Sequence, residues 1–309
     1  MNRKYILLLS LIGSTFFIVV GLMGLQTKGF NQRTNNAKIK IQTIEDKIKI
    51  NHGMNSSCES FTNQACRTSD KPEILIWGDS YAMHLTEGIL SSNPKAKIIQ
   101  ITKSVCGPIF DLAPIYLPDY PLNWAVGCLT FNQDVKNWLK QNNTVKYVVL
   151  SSPFLQYLSE SSSLLLNKRE IKHADINLLA MHIENTLSEI KSMGITPVIF
   201  TPPPANGTDL GACLARSTWL GYDINRCDFK TSDFPEHRVK VYSLLKKISK
   251  RYHVVQLEEL LCHNDYCQSH IGSTFLYMDS GHLSREGSST IGKLNNFYRM
   301  ITNNSTKQP

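Results

Sequence analysis

Three residues of this chain have the side chains that serine-dependent acyl chemistry needs. Ser80 follows the apolar run 74–77 in a Gly-Asp-Ser turn, and Asp279 and His282 lie about two hundred residues later in Asp-Ser-Gly-His. A serine hydroxyl becomes a good nucleophile when an imidazole takes its proton, and a carboxylate fixes the tautomer and orientation of that imidazole. We therefore predict Ser80 as nucleophile, His282 as base and Asp279 as the orienting carboxylate.

Each motif also has a purely structural explanation. Glycine after an apolar strand is ordinary turn chemistry, and Asp-Ser is a common helix-capping pair. The positions of the motifs favour catalysis, because the first ends the first apolar strand and the second precedes the last helix-like segment. At the start of a helix, the backbone N–H of Ser80 is also a candidate donor to a developing oxyanion.

From residue 73 onward, short apolar runs alternate with helix-like segments. The runs are 74–77, 97–101, 146–151, 196–201 and 252–257, and the helical patterns are 81–91, 129–141, 173–193, 235–250 and 284–302. This alternation predicts an α/β fold, a three-layer sandwich with a central parallel sheet. Ligands of such sheets bind at the carboxyl ends of the strands, where Ser80 is expected.

The N-terminus predicts one transmembrane helix. Residues 5–25 are uncharged and mostly apolar after Asn2-Arg3-Lys4, and such a helix spans a hydrocarbon core of about 30 Å. A cleaved signal peptide is the alternative, although this run is longer than a signal core and lacks an Ala-x-Ala site. The basic start predicts a cytoplasmic N-terminus. The predicted divisions are a cytoplasmic segment 1–4, a transmembrane signal anchor 5–25, a basic polar stalk 26–57, a folded domain 58–302 and a polar tail 303–309.

The eight cysteines predict disulfides and export to an oxidising compartment. Neighbour pairing is the simplest connectivity. The pairs would be Cys58 with Cys66, Cys106 with Cys128, Cys213 with Cys227, and Cys262 with Cys267. A metal site is the alternative for the last pair, because His263 and His270 lie beside it, but the Cys-x4-Cys spacing is loose and no second pair follows at zinc-ribbon distance. No metal site is predicted.

The charge distribution argues against a nucleic-acid partner. Residues 1–50 contain eight basic and two acidic residues, so this segment carries +6 of the net charge of +8. The remainder is nearly neutral and shows no basic face with interleaved aromatics, which a nucleic-acid surface would need. The basic segment is better suited to lie near anionic lipid headgroups.

Gly78-Asp79-Ser80 after the first strand, with Asp279-x-x-His282 before the last helix, resembles the SGNH (GDSL-type) hydrolase superfamily. The stretches 76–82, 194–204 and 261–284 are similar, more narrowly, to the SGNH domain fused to acyltransferase type 3 membrane proteins. The resemblance covers roughly residues 72–300. It implies a flavodoxin-like sandwich and cofactor-free acyl transfer, usually of acetyl, through an acyl-serine on Ser80.

The resemblance also implies a substrate and a place. Such domains act on hydroxyls of cell-envelope polysaccharides, or of lipid-linked precursors, on the outer side of the bacterial inner membrane. The fused relatives carry many membrane helices that deliver the acyl group, whereas this chain has one candidate span. Either a separate integral-membrane protein supplies the acyl group or the domain is a carbohydrate O-acetylesterase that uses water.

One departure concerns the oxyanion hole. The superfamily places an asparagine after the third strand, where this chain has Ser151-Ser152-Pro153-Phe154. By the resemblance, Gly107 is the candidate second oxyanion donor beside Ser80. The missing asparagine also leaves open a non-catalytic glycan-binding module.

Overall fold

The computed structural model describes residues 3–27, 43–172 and 175–303 of the 309-residue chain. Within these residues the helices are α1 (Arg3–Gln26), α2 (Ser80–Met83), α3 (Thr86–Ser92), α4 (Leu122–Gln141), α5 (Leu155–Leu158), α6 (Ile176–Ser192), α7 (Leu210–Leu220), α8 (Glu236–Ile248), α9 (Leu257–Leu261), α10 (Arg285–Asn295) and α11 (Phe297–Thr302). A short helical segment also covers residues 43–47.

The strands are β1 (Ile74–Gly78), β2 (Ile98–Thr102), β3 (Leu112–Ile115), β4 (Tyr147–Ser151), β5 (Ser163–Leu166), β6 (Arg169–Ile171), β7 (Thr196–Phe200), β8 (Phe229–Lys230), β9 (His253–Val255), β10 (Cys262–His263), β11 (Tyr266–Cys267), β12 (His270–Ile271) and β13 (Thr274–Phe275). The central sheet has the order β2-β1-β4-β7-β9 and is parallel throughout. This confirms the predicted α/β fold with a central parallel sheet. The carboxyl ends of its strands therefore share one edge.

Alternate residues of β1 face opposite sides of the sheet, as strand geometry requires. Leu75 and Trp77 are buried in a core built with α4, α6 and α8, while Ile74 and Ile76 are buried in a second core with α3, α10 and α11. Each fully buried large aliphatic side chain contributes about 1.5–3 kcal/mol. Because both faces are covered, β1 is held in one register, and with it the turn that follows.

Helix α3, which follows Ser80, packs directly on α10, which follows His282. The contact depends on two glycines, since a Cβ on Gly292 would overlap the backbone of Gly88. The N–H of Gly88 also donates to Ser288 Oγ at 3.0 Å. This helix pair therefore locks together the two segments that carry the predicted nucleophile and base.

Two predicted helices are divided in the structure. The segment 284–302 breaks at Asn296, which has a left-handed φ of 53° and caps α11 through its side chain. The segment 81–91 is divided into α2 and α3. In addition, the antiparallel sheet β3-β5-β6 and helix α7 were not predicted, because none of them carries a long periodic pattern.

The structure forms all four disulfides in the predicted pairs. The pair Cys106–Cys128 joins the loop after β2 to α4, and Cys262–Cys267 joins β10 to β11. The disulfide between Cys262 and Cys267 uses both thiols that the alternative metal site would have needed. Among the described residues, no group of three or more His, Cys, Asp or Glu side chains could hold a metal ion.

Helix α1 has no buried residue and is, within the described residues, the one helix long and apolar enough to cross a membrane. Residues 28–42 of the predicted stalk and 304–309 of the predicted tail lie outside the described residues, as do 1–2 and 173–174.

The last part of the predicted stalk differs from the prediction, because residues 43–57 pack on the domain. Ile44 and Asn51 are buried, and Asn51 Nδ2 donates to the carbonyls of His84 and Leu283 at 3.3 and 3.4 Å. Local polarity concealed this contact, which is made with residues distant in sequence.

Candidate active site

The turn after β1 places Ser80 at the carboxyl edge of the sheet. Gly78 ends the strand with φ 149°, and a Cβ there would overlap the carbonyl of Ser151 on the neighbouring strand. Asp79 is the N-cap of α2, and its Oδ1 accepts from the N–H of Tyr81 at 2.9 Å. This cap fixes the first helical residue, Ser80, with its side chain partly exposed to solvent.

The structure brings the three predicted residues into one hydrogen-bonded chain. Ser80 Oγ lies 2.7 Å from His282 Nε2, and Nδ1 of the same imidazole lies 2.8 Å from Asp279 Oδ2. Both distances fall within the hydrogen-bond reach expected of a nucleophile, its base and an orienting carboxylate. With Nδ1–H donating to the carboxylate, Nε2 is free to accept the serine proton.

The loop before α10 is shaped by Asp279 itself. Its Oδ1 accepts the backbone N–H groups of Gly281 and His282, each at 2.8 Å, and Ser284 caps α10 by accepting from the N–H of Gly287. Partial burial raises the pKa of Asp279, but the hydrogen bonds and charge of His282 outweigh it and hold that pKa at about 2. The carboxylate is therefore ionised at neutral pH and can stabilise an imidazolium.

A second histidine, His84, packs beside His282 in the interior of the domain. His84 is fully buried, its ring centroid lies 6.0 Å from that of His282, and its Nδ1 accepts the N–H of Leu283 at 3.2 Å. Burial, together with the charge of His282, lowers the pKa of His84 well below its ordinary value. His84 is thus neutral, and it orients the backbone next to the imidazole of His282, the predicted base, without competing for protons.

A buried cation lies beneath the same loop. Arg238, in the first turn of α8, is only 5% exposed, and its Nη1 has no hydrogen-bond partner in the described part of the chain. A Cβ on Gly281 would overlap the hydroxyl of Tyr81 and lie 3.5 Å from Arg238 Nη2. Burial raises the pKa of Tyr81, and the charge of Arg238 opposes that rise. Tyr81 in turn lies against His282, with 4.6 Å between ring centroids.

Asp79 is a buried carboxylate one residue from Ser80, the predicted nucleophile. Its Oδ2 accepts from Ser152 Oγ at 2.6 Å and from Gln156 Nε2 at 3.4 Å. Burial raises its pKa to about 6, against the opposing effect of these hydrogen bonds. None of the hydrogen bonds that the structure describes for Asp79 is with the Ser80 hydroxyl. Its role is therefore to cap α2 and to connect the segment after β4 to the Gly-Asp-Ser turn.

Gly107, the other predicted oxyanion donor, lies in the same corner of the site. A Cβ there would meet the Tyr157 hydroxyl at 2.6 Å and Ser152 Oγ at 3.1 Å, so only glycine fits. Its carbonyl accepts from Asn132 Nδ2 at 3.0 Å, and the adjacent Cys106 is fixed by its disulfide. The backbone of this residue is therefore held rigidly near Asp79.

Sequence reasoning missed several of these contributors. After β4, where the asparagine was expected, Ser152 in the loop and Gln156 on the short helix α5 bind Asp79 instead. A serine and a glutamine at these positions give no local signal, and His84 and Arg238 resemble ordinary surface or core residues in sequence. The one usable clue was a histidine four positions after the predicted nucleophile, on the segment that begins with the Gly-Asp-Ser turn.

Three comparisons with known proteins bear on this site. Residues 52–294 match the profile of the family described as SGNH domain (fused to AT3 domains). No curated protein matches the chain. Among solved structures, the periplasmic domain of a lipopolysaccharide acetyltransferase from Salmonella ser. Paratyphi A is similar, with 18% identity, TM-score 0.59, and coverage of 86% of this chain and 97% of that one.

A second solved structure, from Desulfitobacterium hafniense DCB-2 and classed with lipolytic proteins of the G-D-S-L family, is more distant. It has 12% identity and TM-score 0.38, and the alignment covers 74% of this chain and 99% of that one. The family match covers most of the chain and includes the turn at Ser80 and the loop at His282, so this protein belongs to the family of SGNH domains that occur fused to AT3 acyltransferase domains.

Proposed function

We propose that this protein is a membrane-anchored O-acyltransferase that moves an acyl group, in the simplest case acetyl, onto hydroxyls of a cell-envelope polysaccharide. The observation that carries the proposal is the hydrogen-bonded chain from Ser80 Oγ through His282 to Asp279. Family membership supports the same class of chemistry, esterase or acyltransferase.

The reaction has two halves that share one intermediate. In the first, Ser80 Oγ attacks the carbonyl carbon of an acyl donor, its proton passes to His282 Nε2, and the leaving group takes that proton as it departs. In the second, a sugar hydroxyl attacks the acyl-serine, and its proton passes through the same nitrogen back to Ser80 Oγ. Asp279, ionised and hydrogen-bonded to Nδ1, stabilises the imidazolium in both halves.

The tetrahedral oxyanion needs donors, and backbone groups are proposed for this role. Ser80 is the first residue of α2, and Gly107 lies beside Ser152, which bonds to Asp79 next to Ser80. Removing a single oxyanion donor typically costs about 10²–10³ in kcat. No side chain after β4 is proposed as a donor, because Ser152 and Gln156 are engaged with Asp79.

The proposed location is the bacterial inner membrane, with α1 as the single anchor and the domain on the extracytoplasmic side. Four disulfides support an oxidising compartment, and the basic residues before the apolar run support a cytoplasmic N-terminus. The acceptor would be an envelope polysaccharide or its lipid-linked precursor. A separate integral-membrane protein would supply the acyl group that AT3 domains supply in fused relatives.

The test uses the full chain in detergent with p-nitrophenyl acetate as donor. Ser80→Ala should lower the rate of p-nitrophenol release by at least about 10³-fold. Ser192→Ala is the matched control, since its exposed hydroxyl bonds only to the end of α6. An acetylated peptide containing Ser80, seen by mass spectrometry after rapid quenching, would identify the intermediate. Equal activity of Ser80→Ala and the unmodified chain would refute the proposed nucleophile.

A second measurement separates transfer from hydrolysis. Acetylated saccharide should accumulate when a soluble oligosaccharide is added to the same reaction. Release of acetate alone, with no acetylated sugar at any saccharide concentration, would make the protein a carbohydrate O-acetylesterase with the same catalytic residues.

A further inference from the structure

We propose that a cavity beside the catalytic turn is the acceptor subsite, and that it binds sugar rings of the acceptor saccharide rather than the acyl chain. The cavity has a volume of about 530 Å³ and is lined by residues of four separate elements. This is within the range of about 300–1,000 Å³ typical of small-molecule sites. The inference rests on the proposed transferase function and names its substrate class.

The cavity is connected to the turn of Ser80 and to the loop of His282 through two of the segments that line it. Gln156 lines it and also donates through Nε2 to Asp79 Oδ2, the carboxylate next to Ser80. The first turn of α8 forms another wall with His237 and Lys240, while Arg238 of the same turn faces Tyr81 and the loop of the catalytic histidine. The cavity is therefore joined to the turn of Ser80 through Gln156 and to the loop of His282 through the start of α8.

The lining has the chemistry that a sugar needs. Tyr116 and Tyr120 face each other across an isolated antiparallel bridge after β3, and Tyr116 is 41% exposed. Aromatic rings pack well against the C–H faces of a pyranose, because both surfaces are flat and apolar. Glu160 and the exposed ion pair of Lys240 with Glu236, 2.8 Å apart, also line the cavity and offer charged partners to sugar hydroxyls. A hydrocarbon acyl chain has no hydroxyl that could bond to them.

One buried acceptor also points to a polar ligand. Gln156 donates through Nε2 to Asp79, to Ser152 and to the carbonyl of Val105, which fixes the orientation of the amide. Its Oε1 is buried and has no partner among the residues that the structure describes. A buried carbonyl oxygen without a donor costs roughly 1–3 kcal/mol, so a shift of this amide that let a sugar hydroxyl donate to the oxygen would be favoured.

The backbone at Val105 is strained in a way that shapes this wall. Val105 has φ 62°, a conformation that a β-branched residue rarely adopts. Its carbonyl accepts from Gln156 Nε2 at 3.3 Å, and its side chain lines the cavity next to that amide. Strain of this kind persists where surrounding structure imposes it, and it is concentrated at binding and active sites.

The test measures binding in the Ser80→Ala background, so that no turnover occurs. The full chain in detergent is titrated with two probes, chitotetraose and maltotetraose, and tryptophan fluorescence is followed. Trp124 is the built-in reporter, since its ring lies edge-on to Tyr120 with centroids 4.9 Å apart. Trp124→Phe should abolish the signal change but not binding measured by calorimetry.

We expect saturable binding of at least one tetrasaccharide, weakened at least tenfold by Tyr120→Ala. Tyr266→Ala is the matched control, because that tyrosine is exposed on β11 and does not line the cavity. The affinity of this variant for the tetrasaccharide should stay within twofold of the Ser80→Ala background. Thermal unfolding of each variant shows whether it is folded, and Tyr120→Phe should restore binding if the ring face, not the hydroxyl, makes the contact.

Two results would overturn the inference. The first is absence of saturable binding of both probes, or equal affinity with and without the Tyr120 ring. The second is evidence that the cavity binds the acyl chain. In the protein that retains Ser80, Tyr120→Ala would then lower kcat/KM for p-nitrophenyl octanoate at least tenfold more than kcat/KM for p-nitrophenyl acetate. Failure of the proposed function itself is a separate result, since it shows as unchanged esterase activity in Ser80→Ala while saccharide binding persists.

Discussion

Replacing Asp79 with asparagine removes a charge that the folded protein buries at a cost. Asp79 is 1% exposed, and burial raises the pKa of its carboxyl to about 6 from an ordinary value of 3.8. Asparagine has nearly the same shape and keeps an oxygen for the N–H of Tyr81, so the cap of α2 can persist. The variant therefore isolates the effect of the charge on stability.

The direction in which stability changes with pH follows from the number of protons that the folded and unfolded states bind. The unfolded chain loses the Asp79 proton near pH 4 and the folded chain near pH 6, so between these values the folded state binds more protons. The free energy of unfolding therefore falls as pH rises through this window. The difference between about 6 and 3.8 corresponds to a total loss of about 3 kcal/mol by pH 7.5. The Asp79→Asn variant does not show this loss of stability, because asparagine does not titrate.

A second effect is constant with pH. The amide of asparagine would replace Oδ2, which now accepts from Ser152 Oγ at 2.6 Å and from Gln156 Nε2 at 3.4 Å. The Ser152 hydroxyl can rotate and accept from this amide, so the weak bond from Gln156 is the one lost, at a cost of about 1 kcal/mol. Near pH 4 we therefore expect the Asp79→Asn variant to be less stable by about 1 kcal/mol. At pH 7.5 we expect it to be more stable by about 2 kcal/mol.

The assay is urea unfolding followed by tryptophan fluorescence between pH 4 and pH 8, on a chain that starts at residue 43 so that the packed segment 43–57 is kept. The quantity of interest is the difference between variant and unmodified chain at each pH, because other titrating groups cancel in it. Asp175→Asn, which alters the exposed cap of α6, is the matched control for loss of a cap carboxylate at the surface. A difference for Asp79→Asn that stays flat from pH 4 to pH 7.5 would refute the reasoning.

Three further predictions concern the site. Asp279→Asn should lower kcat for p-nitrophenyl acetate by about 10³–10⁴-fold with little change in KM, because the imidazole loses the partner that fixes its tautomer. Replacing both Cys106 and Cys128 with serine should lower the free energy of unfolding by about 3 kcal/mol in urea titrations, as expected for a loop of this length. Gly107→Ala should lower kcat by at least about 10-fold, since the new methyl group would shift the backbone proposed to bind the oxyanion. The control is Gly127→Ala on the open face of α4, which should raise the free energy of unfolding by about 0.5–1 kcal/mol and leave kcat unchanged.

The sequence was sufficient for features that depend on local pattern. The five central strands are short apolar runs between turn residues, and their alternation with helices requires a parallel sheet. The same rule placed Ser80 at the carboxyl edge, whereas the link to His282 was predicted from the residue types and from the position of its motif just before the last helix. Cysteine pairing followed from short loops, which close most easily.

Features that depend on contacts between distant segments could not be predicted. Arg238 is part of an amphipathic helix in sequence and a buried cation in the structure, because α8 packs with that side of its first turn toward Tyr81. Asn51 is a polar residue in a polar segment, yet it is buried against His84 and Leu283. Neither position has a periodicity that would separate it from an exposed neighbour.

The missing asparagine is best understood through what its loop does instead. A carboxamide is present there, on Gln156, but the buried carboxylate of Asp79 and the carbonyl of Val105 take its amide hydrogens. If this amide turned toward the nucleophile, Asp79 would lose a donor in a site where burial already raises its pKa to about 6. The proposed oxyanion donors are therefore backbone groups, which cannot rotate away. Their precision then depends on whatever holds the backbone, namely the cap by Asp79 for Ser80 and the disulfide beside it for Gly107.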